Sequence, residues 1–188
     1  MSLSDSLAEH GYALIASQTL ENARQVLQQL GSIQEVSDVS VSSTSRKFIN
    51  STRAVPFHNE DPDIKWVAWF CEQPACDGGA SLLLDGQILF EKLEPSRRCE
   101  LNSIVCNHRN DSNLPVVTGT GQWYFIPWSF RTMKPAAIVA LEETIAASHC
   151  YEIHLTKGET LLIDNHRMMH GRTCFLDSSR SLTRFLIK

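Results

Sequence analysis

Residues 158–172 read Gly158-Glu-Thr-Leu-Leu-Ile-Asp-Asn-His-Arg-Met-Met-His-Gly-Arg172. The apolar stretch Thr160 to Ile163 has the length of a buried strand, and it delivers the chain into a polar turn that carries His166 and His170. Two histidines four apart also occur in the H-E-x-x-H helix of zinc proteases. That reading fails on chemistry, because Arg167 stands where the general-base glutamate is needed and the segment lies between a strand and Gly171 rather than inside a long helix.

Downstream, Arg180-Ser-Leu-Thr-Arg184-Phe-Leu-Ile-Lys188 has strand character. In a strand Arg180 and Arg184 share a face, roughly 13 Å apart at ~3.3 Å per residue. Such a pair either keeps an edge strand soluble or lines a pocket, where a guanidinium fork suits a dicarboxylate. Upstream, the strand-compatible run Arg53-Ala-Val-Pro-Phe57 leads into His58-Asn59-Glu60. In extended chain, side chains two apart project from one face, so His58 and Glu60 can reach one metal while Asn59 points away. Taken alone, the triplet next to Asp61, Pro62 and Asp63 reads equally as a solvated acidic turn.

The rest of the chain is read as many short strands with a few helices. Gly11 to Ile15 is a short strand, and Leu20, Ala23, Val26, Leu27 and Leu30 recur at helical steps behind Ser17 or Thr19 as cap. Val36 to Ser45 is an exposed strand or a loop. Lys65 to Ala75 and Ser81 to Asp85, broken at Pro74 and Gly78-Gly79, form a hairpin-like pattern, and Gln87 to Glu94 a short helix. Glu100 to Arg109 and Gln122 to Trp128 look like strands around a polar loop, and Pro135 to Ser148 is the clearest second helix, with proline in its first turn. Tyr151 to Leu155, Thr160 to Asp164 and Ser181 to Ile187 complete the strands. No alternating βαβ rhythm is present, which disfavours a parallel sheet and favours a mainly β sandwich or jelly roll with flanking α-helices.

Composition bounds the function. With 188 residues, 43 % of them hydrophobic and 20 % charged, the chain is one soluble domain that closes a core without disulfide or structural metal. A formal net charge of −4 and no basic block argue against nucleic acid as a partner. No apolar run reaches the ~18 residues of a membrane span, and the N-terminus lacks a leader pattern, so no membrane partner and a cytoplasmic location are expected. The six cysteines form no C-x-x-C pair and are read as free thiols. G-x-G-x-x-G, phosphate-loop and G-x-S-x-G patterns are absent.

Two histidines and one carboxylate on one face of an iron leave positions for a bidentate 2-oxo acid and O₂. The order H-x-E, a long gap, His, then Arg suits such a site. On His58-Asn-Glu60, the stretch Phe70 to Ser81 with its Gly78-Gly79, Asp164-Asn-His-Arg-Met-Met-His170-Gly-Arg172, and Arg180 with Arg184, the chain resembles the taurine dioxygenase and clavaminate synthase-like family of Fe(II)/2-oxoglutarate-dependent oxygenases. The likeness runs from about residue 50 onward. It implies a double-stranded β-helix, or jelly roll, in a single oxygenase domain over residues 1–188. It also implies a metal site of His58, Glu60 and His170, which are also the catalytic residues, with Fe(II), 2-oxoglutarate and O₂ as cofactor and cosubstrates. Arg180 would hold the distal carboxylate of 2-oxoglutarate and Ser81 would offer it a hydroxyl. Arg184 falls where some relatives face the substrate, and Arg184, Arg172 and Arg53 are the candidate partners of an anionic, amino-acid-like small molecule. Because Glu60 is a carboxylate rather than Gly or Ala, hydroxylation is expected over halogenation. The short chain leaves two alternatives: an open site for a bulky or carrier-tethered substrate, or a site completed by a second subunit in a homo-oligomer. Two other readings of the same ligands are a non-catalytic metal-binding jelly roll and a zinc hydrolase.

Overall fold

The computed structural model describes residues 2–42, 48–108 and 113–188, so the sequence readings over 43–45 and 109–112 fall outside the described residues. Two antiparallel sheets face one another. In spatial order the first contains β1 (Tyr12–Ala16), β9 (Glu159–Asp164), β4 (Trp66–Gln73), β11 (Ser181–Ile187) and β2 (Ile33–Asp38). The second contains β3 (Val55–His58), β10 (Met168–Arg172), β5 (Ser81–Asp85) and β8 (Tyr151–Ile153). Flanking them are α1 (Leu3–His10), α2 (Leu20–Gln28), α3 (Gly86–Lys92), α4 (Pro95–Ser103), α5 (Ala136–Ala147) and a small ribbon of β6 (Val105–Asn107) and β7 (Asn113–Pro115). This is the expected mainly β architecture, a double-stranded β-helix with helices on both outer faces. No helix among the described residues is long and apolar enough to cross a membrane.

The period-two alternation of the central strands builds three apolar layers. Val67 and Cys71 of β4, Leu161 and Ile163 of β9, and Leu182 and Leu186 of β11 point inward, where they meet Leu83 and Met168 from the second sheet. The residues between them point outward: Ala68, Phe70, Leu162, Phe185 and Ile187 pack under Leu7 of α1 and Ala23 and Leu27 of α2. On the far side, Leu84 and Met169 face Leu101 of α4 and Ile138 and Leu141 of α5. Burial on both faces is why these strands read as near-continuous apolar runs. It leaves the inner face toward β3 and β10 as the place where polar side chains gather.

Several local expectations are revised. Residues 66–73 and 81–85 do not form a hairpin; they are β4 and β5 in different sheets, separated by a crossing at Gly78-Gly79. Glu100 to Ser103 is the end of helix α4, begun by Pro95 in its first turn, and only Val105–Asn107 is strand. Gln122 to Trp128 is irregular, because the Trp123 indole, 0 % exposed, donates to the Gly86 carbonyl at 2.8 Å and a 3₁₀ turn over Pro127–Phe130 follows. His170 lies within strand β10 and not in the preceding turn. Helix α1, which the sequence reading left unassigned, is closed by a capping box in which Ser2 and Asp5 accept one another's backbone N–H.

Arg167 of the quoted stretch joins three of these elements. Its guanidinium binds both oxygens of Asp85, and it also donates to the carbonyls of Ala8 and Glu9 at the end of α1. Asp85 in turn caps α3 by accepting from the N–H groups of Gln87 and Ile88. Replacing Arg167 with Met strands a carboxylate that is 5 % exposed. The expected loss is about 3 kcal/mol of unfolding free energy by urea titration. A loss below about 1 kcal/mol, the range of surface pairs, would contradict a joining role.

Candidate metal centre

Strand pairing builds the site. In the β3–β10 ladder His58 lies directly opposite His170, and a bulge follows because Arg172 pairs with Val55. Gly171 allows the close approach there, since a Cβ on it would fall 2.7 Å from the Val55 carbonyl oxygen. The two imidazole centroids are 4.2 Å apart, and the candidate ligand atoms of His58, Glu60 and His170 all lie within 4.8 Å of one another. Among the described residues this is the one such cluster.

The loop that carries Glu60 is fixed by two asparagines. The Asn165 side chain, 0 % exposed, accepts from the Glu60 N–H at 2.8 Å and donates to the Ile64 carbonyl at 2.9 Å. Asn59, 1 % exposed, donates to the carbonyls of Asn165 and Met168 and accepts from the Phe125 N–H. Every polar atom of this buried network that is named here has a partner, so it holds the loop without a stranded group. His166 belongs to the same brace: its Nε2 meets the Pro62 carbonyl at 2.8 Å, away from the ligand cluster.

Both imidazoles are set up as neutral ligands. His58 Nδ1 lies 2.9 Å from the Pro56 carbonyl, which assigns the proton to Nδ1 and leaves Nε2 with a lone pair. Burial pushes the His58 pKa down, partly offset by Glu60; burial, then His58 and Arg184, push that of His170 well down. His170 Nδ1 is buried without a partner among the described residues. Trp69 packs on the His170 ring at 4.9 Å between centroids, and Trp128 of the 3₁₀ turn packs on His58 at 4.8 Å. These contacts shield the site from water on two sides.

A cavity of about 260 Å³ opens beside the three ligands. Ser81, Arg180, Arg172 and Arg184 line it, as do Trp128 and Arg131, which the sequence reading did not single out. Arg180 is 5 % exposed and its Nη1 is buried without a partner among the described residues. Arg184 is engaged: it binds the Glu60 carboxylate, Glu35 at 2.9 Å and the Ser37 hydroxyl at 3.2 Å, the last two from edge strand β2. Arg172 donates to the carbonyls of Ile49, Ser51 and Arg53, so it braces segment 49–53 under the cavity wall. Arg53 is exposed and does not line the cavity; its contribution there is its carbonyl. Of the three arginines read from the sequence as substrate partners, Arg184 and Arg172 line the cavity and Arg53 is not among its lining residues.

The donor set fits a divalent iron and a chelating 2-oxo acid. Two neutral imidazoles and a carboxylate converge, an uncompensated guanidinium points into the same cavity, and a buried imidazole nitrogen lacks a partner.

Residues 127–186 match the family model for taurine catabolism dioxygenase TauD, TfdA family. No curated protein matches the chain significantly. Among solved structures, the chain superposes on asparagine oxygenase with a TM-score of 0.67 and 18 % identity, over 81 % of this chain and 55 % of that one. The non-heme iron oxygenase OrfP, in complex with Fe and alpha-ketoglutaric acid, gives a TM-score of 0.73 at 18 % identity over 98 % and 77 %. AAD-2 in complex with Mn(II) and N-oxalylglycine gives 0.71 at 12 % over 98 % and 86 %. The chain thus shares their fold and spans little more than half the length of the asparagine oxygenase chain.

The depressed histidine pKa values have a consequence for stability. Below about 6.5, the ordinary histidine value, the unfolded chain takes up protons that buried His58 and His170 refuse. The metal-free protein is therefore expected to hold its melting temperature above pH 7 and to lose it progressively on acidification below about 6.5. His170→Asn should flatten that slope; an unchanged slope in thermal melts would contradict the neutral assignment. His58, together with His108, which is also buried with its pKa pushed down, supplies the residual slope.

Proposed function

We propose that this chain is a member of the taurine dioxygenase and clavaminate synthase-like family and a Fe(II)- and 2-oxoglutarate-dependent oxygenase, a reading supported by the family match over residues 127–186 and by the shared fold. Its substrate is an amino-acid-like or other anionic small molecule, and the outcome is hydroxylation of an aliphatic C–H bond. The observation that carries the reading is the convergence of His58, Glu60 and His170 on a cavity that also receives the Arg180 guanidinium. Four arginines line that cavity against the one carboxylate of Glu60, a balance suited to a dicarboxylate and a second anion.

When bound, the iron supplies O₂ activation coupled to decarboxylation of 2-oxoglutarate to succinate and CO₂. The chain's own residues set the geometry. His58, Glu60 and His170 hold the metal, with Arg184 keeping one Glu60 oxygen occupied. Arg180 receives the distal carboxylate and Ser81, 9 % exposed on the cavity wall, offers it a hydroxyl. Trp69 and Trp128 exclude water from the imidazoles. Arg131 also lines the cavity and is assigned to the substrate's anionic group, whereas Arg184 is held by Glu60 and Glu35. The six free cysteines suit the reducing cytoplasm.

Anaerobic addition of Fe(II) and then 2-oxoglutarate should give the visible charge-transfer band of the chelate, and O₂ should then give succinate. His58→Ala and His170→Ala should each abolish succinate formation. Arg180→Ala should raise the 2-oxoglutarate requirement roughly a hundredfold, the weight of two charge-assisted hydrogen bonds. Tight Zn(II) binding with no band would point to a hydrolase or a non-catalytic site and overturn the proposal.

A further inference from the structure

Two guanidiniums are buried side by side in the lining of the cavity. Arg172 and Arg180 are each 5 % exposed, and burial pushes both down to about 10, with Arg180 depressing Arg172 further. The backbone carbonyls on Arg172 are described above, whereas Arg180 Nη1 meets no acceptor among the described residues. The Phe175 ring lies against both, 4.8 Å from Arg172 Cζ and 5.5 Å from Arg180 Cζ, and is 4 % exposed.

Phe175 is itself firmly held. Its N–H donates to the Thr52 carbonyl at 3.0 Å, and it pairs with Gly78 in an isolated antiparallel bridge. Gly78 and Gly79, with φ of 70° and 69°, bring the β4–β5 crossing onto this corner. A Cβ on Gly78 would fall 2.2 Å from the Cys174 carbonyl oxygen, and one on Gly79 would fall 3.1 Å from Arg180 Cδ. The Gly-Gly pair thus presses the crossing against both the platform and the stem of the arginine that stands on it.

We propose that Phe175 is the positioning residue of the dicarboxylate pocket: its ring holds the Arg180 guanidinium, next to that of Arg172, in place to receive the distal carboxylate. This rests on the reading of Arg180 as the 2-oxoglutarate anchor. An aliphatic side chain fills the same space but offers no negative ring face, so the guanidinium loses the contact that offsets its desolvation. A pre-set guanidinium also spares the ordering cost that a free one incurs on binding.

The test is calorimetric titration of the full Mn(II)-loaded chain with 2-oxoglutarate, comparing wild type with Phe175→Leu, Phe175→Met, Phe175→Tyr and Arg180→Gln. The Leu and Met variants should each bind about tenfold more weakly, with Tyr within about twofold of wild type. Mn(II) affinity should be unchanged throughout, which a general loosening of the fold would not leave intact. If the Leu variant fails to fold, the Met and Tyr pair carries the same comparison. Wild-type affinity in the Leu or Met variant, with binding lost in Arg180→Gln, would overturn the role of Phe175 and leave the anchor standing. Equal losses in Tyr and Met would overturn it as well. No binding by the wild type, or an unaffected Arg180→Gln, would bring down the anchor reading and this inference with it.

Discussion

The pairing of β3 with β10 is the constraint on which the site depends, because it places His58 opposite His170 at a depth where neither imidazole is readily protonated. Burying two imidazoles is costly, and the surrounding structure supplies what offsets it. Asn59 and Asn165 tie the Glu60 loop to the β9–β10 turn, so that all three ligands are referred to one stretch of backbone. The apolar layers behind β4, β9 and β11 then keep that backbone from relaxing. A metal held by these three residues would find both imidazoles desolvated and neutral, and all three side chains already close.

Charge divides the cavity into two ends. Near the ligands, Arg184 lies between the Glu60 and Glu35 carboxylates, an arrangement close to balance. At the other end, Arg172 and Arg180 share the Phe175 ring. Arg180, whose Nη1 has no partner among the described residues, marks the end that we propose for the distal carboxylate of 2-oxoglutarate. Strand β11 connects the two ends, with Arg180 immediately before it and Arg184 within it, so one segment of chain sets the distance between them.

Much of this was legible in the chain. His58 and Glu60 could be picked out as a pair because the i, i+2 geometry of a strand presents both to one metal, whereas His170 rather than His166 came only with the family resemblance. Strands β9 and β11 and helices α2 and α5 announce themselves through periodicity. What the sequence hid depends on contacts across the sheets. The β4–β5 hairpin reading failed because local patterning does not say that Gly78-Gly79 crosses between sheets. Gln122 to Trp128 looks like a strand through its aromatic and apolar run, but Trp123 is held by a hydrogen bond to Gly86. Arg184 looked like a free cation, since nothing in Ile33–Asp38 signals that Glu35 and Ser37 face it. Phe175 reads as a single apolar residue in a polar loop, and only its neighbours give it a role.

X-ray absorption at the iron edge, on the Fe(II)-loaded chain before and after anaerobic addition of 2-oxoglutarate, is the most direct test of the central claim. The account predicts two imidazoles and otherwise oxygen donors, with the oxygen shell rearranged by 2-oxoglutarate and one imidazole lost in His170→Asn. A sulfur donor from one of the free cysteines, or a spectrum that 2-oxoglutarate and His170→Asn both leave unchanged, would contradict it.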